Sequence, residues 1–337
     1  MRPNARRSPV SVALWALLLA SLLGGCGSVS LAGRITEFAI PTERSRPGSP
    51  VGGPDGNVWF IENFAHKIGR ISPKGTITEF ATPTAASEPI DLTAGPDGNL
   101  WFTDGSNKIG RITPDGKKVA EFSLPAGPSV PDRITAGPDG NLWFTEPDFG
   151  GDGPVKIGRI TPAGKVTEFP LATPHLYPQD LTAGPDGNVW FTDGMEGPGA
   201  GKIGYITPAG KITESAPPGL TNPRDITRGP DGNLWFTETS LSSENIGRLT
   251  PAGKLTTFTL PQRVSSLGGL TAGPDGNVWF AEDTIDQIAR ITPTGAITEF
   301  TIPTSEQTHA TPTGIATGPD GSIWFTEDEG NKIGRLT

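Results

Sequence analysis

The chain has 337 residues, with 27 Lys and Arg against 36 Asp and Glu, a formal net charge of −9 at pH 7, one Cys and three His. The acidic balance leaves no basic face for a phosphate backbone and argues against nucleic acid as a partner. A single Cys excludes an intrachain disulfide, and the 46 Gly and 35 Pro would suggest disorder if they did not recur at fixed turn positions.

Residues 1–25 carry Arg2, Arg6 and Arg7 and no acidic residue, followed by an apolar run over 10–23. That is the length of a signal-peptide core and short for a membrane span. The run ends in Leu23-Gly24-Gly25-Cys26, which resembles a bacterial lipobox. The resemblance implies cleavage before Cys26 and lipidation of its thiol, so 1–25 is expected to be a lipoprotein signal peptide and 26–32 a short linker. The expected location is extracytoplasmic and lipid-anchored, with the lipid as the membrane contact. Beyond the leader, 24 basic residues face 36 acidic ones, a net of −12.

From residue 33 onward one stretch recurs seven times. Gly95-Pro96-Asp97-Gly98-Asn99-Leu100-Trp101-Phe102 is one copy, and the others begin at Gly53, Gly137, Gly184, Gly229, Gly273 and Gly318. Their tryptophans are spaced by 42, 42, 47, 45, 44 and 45 residues, a period that predicts an all-β, seven-bladed β-propeller of four-stranded blades over 33–337. In residues 90–122, a first strand over 91–94 ends at the Gly-Pro-Asp-Gly turn. Pro presets φ there and the final Gly tolerates positive φ. A second strand over 99–103 has apolar residues on both faces, which suits a strand covered by neighbouring blades. Lys108 opens a third strand, Thr113-Pro114-Asp115-Gly116 a second turn, and residues 117–122 form the outer strand.

The last repeat ends at Thr337 without an outer strand, whereas Arg34-Ile35-Thr36-Glu37-Phe38 resembles outer strands such as Thr76-Ile77-Thr78-Glu79-Phe80. The N-terminal segment is therefore expected to complete the C-terminal blade and close the ring. Two short turns per blade lie on one face of the disc. The variable loops, including 82–89, 147–155, 194–201 and 303–312, lie on the other, where a binding site is expected at the channel mouth.

One acidic position repeats on that face: Glu62, Asp104, Glu146, Asp193, Glu238, Glu282 and Glu327, each two residues beyond the Phe of Trp-Phe. Each either orders its own loop by accepting a backbone N–H or joins a ring of negative potential that holds a cationic ligand or a metal ion. His66, His175 and His309 fall in variable loops, as solvated side chains or as general bases. No His-x-His, Cys cluster or Gly-x-Ser-x-Gly is present, so no nucleophile constellation is evident.

The compound motif Gly-Pro-Asp-Gly-Asn-Leu-Trp-Phe-Thr-Glu, then Asn-Lys-Ile-Gly-Arg-Ile-Thr-Pro-x-Gly-Lys-Ile-Thr-Glu-Phe, resembles the virginiamycin B lyase (streptogramin lyase) family over about residues 33–337. The resemblance implies a monomeric, Mg²⁺-dependent C–O lyase on a seven-bladed propeller. Such an enzyme confers antibiotic resistance by opening cyclic type B streptogramins by elimination. It also implies catalytic His in Pro-His-x-Ile-Thr at the start of first strands, with carboxylates helping to bind the metal. Here the matching positions are Gly48, Ile90, Asp132, Gln179, Arg224, Gly268 and Thr313. The carboxylates matching the family's last blades are Glu282 and Glu327.

Three functions follow as expectations. The first is a lipid-anchored module binding a small-molecule or peptide-like ligand, or a protein partner, with the acidic positions and Gln179, Arg224 and Thr313 in contact. The second is an Mg²⁺-dependent lyase for a streptogramin or another cyclic depsipeptide, using His309, His175 or Asp132 with Glu282 and Glu327 at the metal. The third is a sugar-lactone hydrolase resembling gluconolactonase propellers, which needs a deep cage of carboxylate and Asn ligands.

Overall fold

A computed structural model describes residues 33–84, 87–125, 127, 130–148, 153–172, 177–194, 201–239, 244–261, 264, 266–306 and 309–337. The leader and Cys26 lie outside them. Seven antiparallel sheets of four strands form a ring. Six are consecutive in sequence. The seventh joins residues Ile35–Ala39 to the three C-terminal strands, with Ile35 opposite Leu336 and Ala39 opposite Lys332. Closure by the N-terminal strand is thus as the sequence predicts. No helix among the described residues is long and apolar enough to cross a membrane.

Blade two shows how the repeat folds. Its strands are Pro89–Ala94, Leu100–Asp104, Lys108–Ile112 and Val119–Ser123. The second strand begins one residue later than expected because Asn99 belongs to the turn. Its Nδ2 donates to Asp97 Oδ2 at 2.8 Å, while Asp97 Oδ1 accepts the Trp101 indole N–H at 2.9 Å. The turn aspartate therefore serves the buried Trp. Gly95 is obligatory beside it, since a Cβ there would stand 2.4 Å from the Trp101 ring. Trp101 stacks on Phe122 with centroids 5.4 Å apart, and the Arg111 guanidinium lies over both rings. Arg111 also donates to the Pro162 carbonyl of the next blade at 2.9 Å. The same Trp-Phe-Arg stack recurs around the ring, except in blade four, where Tyr205 replaces Arg and meets Trp190 at a tilt of 44°.

The core lies between blades, where each second strand is covered on both faces. All five positions of Leu100–Asp104 are buried, and the pattern repeats in the second strand of every other blade. The first strands pack against one another around the axis and line the central channel.

Candidate functional site at the channel rim

The first strands do not run straight. In blades one, two, four, five and seven the ladder slips after the first one or two paired residues, between Pro89 and Leu92 in blade two and between Pro178 and Asp180 in blade four. Such bulges re-aim side chains at the rim of a closed sheet. The slip frees backbone groups that must be paired elsewhere. The Thr of Trp-Phe-Thr pairs them: Thr103 Oγ1 accepts from Asp91 N at 3.0 Å and donates to the Asp132 carbonyl of the next blade at 2.5 Å. Thr237 and Thr326 accept from Asp225 N at 3.2 Å and from Gly314 N at 3.0 Å.

The displaced residues enclose a cavity of about 430 Å³ on the channel axis. Gly48, Ile90, Gln179, Arg224, Gly268 and Thr313 line it, which are six of the seven first-strand positions singled out in the sequence. Gln179, Arg224 and Thr313 thus come together at one rim. The seventh position, Asp132, is represented there by its neighbour Arg133. The residues following the flagged ones also line the wall, among them Asp91, Asp180 and Asp225, with Asp283 from a different loop. Sequence reading passed over these. The available signal was the recurring Asp one residue beyond Ile90, Gln179 and Arg224, obscured because its orientation depends on the bulge.

The wall is strongly charged on one side only. Burial works against the charge of Arg133, but Asp132, Asp91, Asp225 and Asp180 around it outweigh that and raise its pKa. Burial pushes the Asp180 carboxyl well above its usual range, Asp225 adds to the rise, and Arg133 opposes it. Asp180 also anchors the next blade, with Oδ2 accepting from Ile226 N at 2.8 Å. Asp132 is raised by burial too, and Tyr177 donates its hydroxyl to Asp132 Oδ2 at 3.4 Å. The opposite side presents Gly48, Gly268, Gly269 and Gly314, with Asp283 of blade six as its one charged residue.

The seven repeated carboxylates lie elsewhere. Glu62, Asp104, Glu146, Asp193, Glu238, Glu282 and Glu327 are all buried, and none lines the cavity. The expected acidic ring around the mouth is therefore corrected. Each stands at or next to the end of a second strand, opposite the start of the third strand, as Glu327 is opposite Lys332 and Glu238 is opposite Asn245. The alternation of that strand turns it into the blade flank rather than the channel. Asp104 does order its own loop, accepting from Ser87 Oγ and from the backbone N–H of Glu88 and Ser106. Burial raises the pKa of Glu62, Asp193 and Glu282 to about 7 and that of Glu327 to about 8.

The histidines are not at the cavity wall in the described residues. His66 caps a short turn with φ of 55° and contacts the Ser87 carbonyl through Nδ1. His309 is 77% exposed in its side chain and pairs through Nδ1 with Asp286 Oδ2 at 3.0 Å. His175 lies outside the described residues.

The Mg²⁺ that the resemblance implies does not fit Glu282 and Glu327 as a shared site. Each sits in its own blade, where Glu299 acts electrostatically on Glu282, and Glu37 and Lys332 act on Glu327. Among the described residues no group of three or more Asp, Glu, His and Cys side chains converges to hold a metal.

The virginiamycin B lyase family matches residues 9–238 and 156–337 of the chain. A streptogramin B lyase structure is 35% identical, with a TM-score of 0.80, over 90% of this chain and 97% of that one. Virginiamycin B lyase from Staphylococcus aureus is 36% identical, with a TM-score of 0.79, over 90% of this chain and 99% of that one. A catalytically inactive variant of the latter, solved with quinupristin, gives the same identity, coverage and TM-score. No curated protein matches the chain.

Proposed function

The chain belongs to the virginiamycin B lyase family, and from that premise we propose that it is a lipid-anchored, extracytoplasmic binding propeller whose channel-rim cavity takes a peptide-like ligand. The observation that carries this reading is the chemistry at the bulge positions. Where the family resemblance implies imidazoles, the rim offers the amide of Gln179, the guanidinium of Arg224 and the hydroxyl of Thr313. These groups hydrogen-bond to amides and carbonyls at any ordinary pH, and none is a base poised near neutrality. Asp91, Asp180 and Asp225 on the charged side suit a ligand carrying amine or amide donors, and the glycine side admits bulk. The lipobox-like Leu23-Gly24-Gly25-Cys26 supports the anchor.

A second reading, a C–O lyase acting on a cyclic depsipeptide, is favoured by Asp180. Elimination takes a proton from the carbon next to a carbonyl while the ester oxygen leaves with the bonding electrons. A carboxylate of raised proton affinity at the cavity wall is a base of the right class.

Residues 27–337 incubated with a type B streptogramin, with Mg²⁺ or EDTA, separate the two readings. Elimination leaves the mass unchanged, so products are followed by chromatographic retention and fragmentation, and binding by calorimetry. Binding without a linear product is expected, weakened about tenfold by Gln179→Ala, the equivalent of one hydrogen bond. A linear product that EDTA abolishes overturns the binding reading in favour of the lyase.

A further inference from the structure

Blade six breaks a charge pattern kept by five of its six sister blades, and the break leaves room for a cation. In five blades the third strand opens with a lysine whose ammonium faces the outer-strand glutamate on the flank where the repeated second-strand carboxylate is buried. Lys67 Nζ lies 2.8 Å from Glu79, Lys108 2.7 Å from Glu121, Lys202 3.6 Å from Glu214 and Lys332 3.4 Å from Glu37. Lys156 bridges both carboxylates, at 2.7 Å from Glu168 and 3.6 Å from Glu146. Blade five loses the lysine to Asn245 and the outer glutamate to Thr257 together. The remaining Glu238 accepts from Thr221 N at 3.1 Å and from Thr257 Oγ1 at 3.3 Å, so its charge is met by donors.

Blade six loses only the lysine. Gln287 stands opposite Glu282, and Glu299 stands two residues along the outer strand on the face of Gln287, the register of the sister blades. Glu282 is fully buried, and both of its oxygens lack a hydrogen-bond partner. The Gln287 Oε1 is likewise buried without a partner. Two carboxylates and an amide oxygen thus surround the place that a lysine Nζ takes elsewhere. A buried carboxylate without a partner is costly, so such an arrangement calls for a compensating charge.

We propose that blade six holds a Ca²⁺-type divalent cation, ligated by Glu282, Glu299 and the side-chain oxygen of Gln287 in place of the sister lysine. Oxygen-only donors with two carboxylates are the set that Ca²⁺ takes, and its charge balances theirs. The sister Nζ–O separations run from 2.7 Å to 3.6 Å against the ~2.3–2.6 Å of Ca²⁺–O bonds, so the side chains close inward by up to about an ångström on binding. The site lies in the blade flank and stands apart from the ligand read at the channel rim.

The test is calorimetric titration of EDTA-treated protein with CaCl₂, with thermal melts beside it. Wild type is expected to bind one Ca²⁺ per chain and to melt several degrees higher with it. Gln287→Lys supplies the sister ammonium covalently. It is expected to fold, to lose Ca²⁺ binding and to melt at or above EDTA-treated wild type. Glu282→Gln is expected to lose binding as well. Folded wild type that takes up no Ca²⁺ overturns the proposal, and the pair then holds a proton. Undiminished stoichiometry in folded Gln287→Lys also overturns it, because the ion then sits elsewhere.

Discussion

Asp97 shows how much one side chain of the repeat carries. Burial opposes its charge, yet hydrogen bonds from Trp101 and Asn99 hold its pKa below the ordinary carboxylate value. Trp101 is fully buried, so its indole N–H has no water to fall back on. Asp97→Ala is expected to cost about 1–3 kcal/mol, the penalty for stranding a buried donor. Asp97→Asn keeps an acceptor and should lose less. Guanidinium unfolding of the two variants against wild type checks the order. Every Trp-bearing repeat has this pair, so the tetrapeptide turn is read as scaffold and not as a ligand loop.

At the scale of the blade, the second strand joins two jobs. Its Thr supports the bulge that forms the rim, and its carboxylate two residues after the Phe is buried in the flank. The flank makes stability depend on pH. Burial and Glu37 raise the pKa of Glu327 from an ordinary 4.5 to about 8. Between these values the folded chain keeps a proton that the unfolded chain releases, so stability is fully present below the lower value and falls as pH rises through the upper one. Glu62 and Asp193 act in the same direction, each with a folded value of about 7. Turn aspartates such as Asp97 and Asp139 have lowered values, and their contribution is lost only as pH falls below the ordinary 3.8. The two windows do not overlap. In EDTA, Tm is expected to fall from pH 5 to pH 8, and Glu327→Gln should flatten that slope. A wild-type profile that rises over this range contradicts the assignment.

For the whole molecule, closure rests on a strand from the opposite end of the chain. Residues Ile35–Ala39 complete blade seven, and Glu37 ties the join, accepting from Thr304 N at 3.1 Å and lying 3.4 Å from Lys332 Nζ. Phe38 stacks on Trp324 with centroids 6.0 Å apart, so the segment also fills the core. Removing residues 33–39 leaves an open sheet edge and a half-exposed Trp. Loss of a single cooperative calorimetric transition is expected, with self-association seen by light scattering. A truncated chain that stays monomeric and melts in one step would show that the other strands hold the ring unaided.

The sequence alone determined the blade number, the turn chemistry and the closing strand, because these are local patterns repeated seven times over, and repetition makes a weak signal strong. It also placed Gln179, Arg224 and Thr313 at equivalent positions, which the structure brings to one rim. What only the tertiary structure decided was direction. A bulge of one residue determines whether a first-strand side chain meets the channel or the ladder, so Asp91, Asp180 and Asp225 entered the wall unannounced. The alternation of the second strand, read in the closed ring, takes Glu282 and its six counterparts out of the mouth and into the flank. Charge pairing across strands is likewise a property of register. The missing lysine of blade six is visible as Gln287 in the sequence, but it acquires meaning only when Glu282 and Glu299 are seen on either side of it.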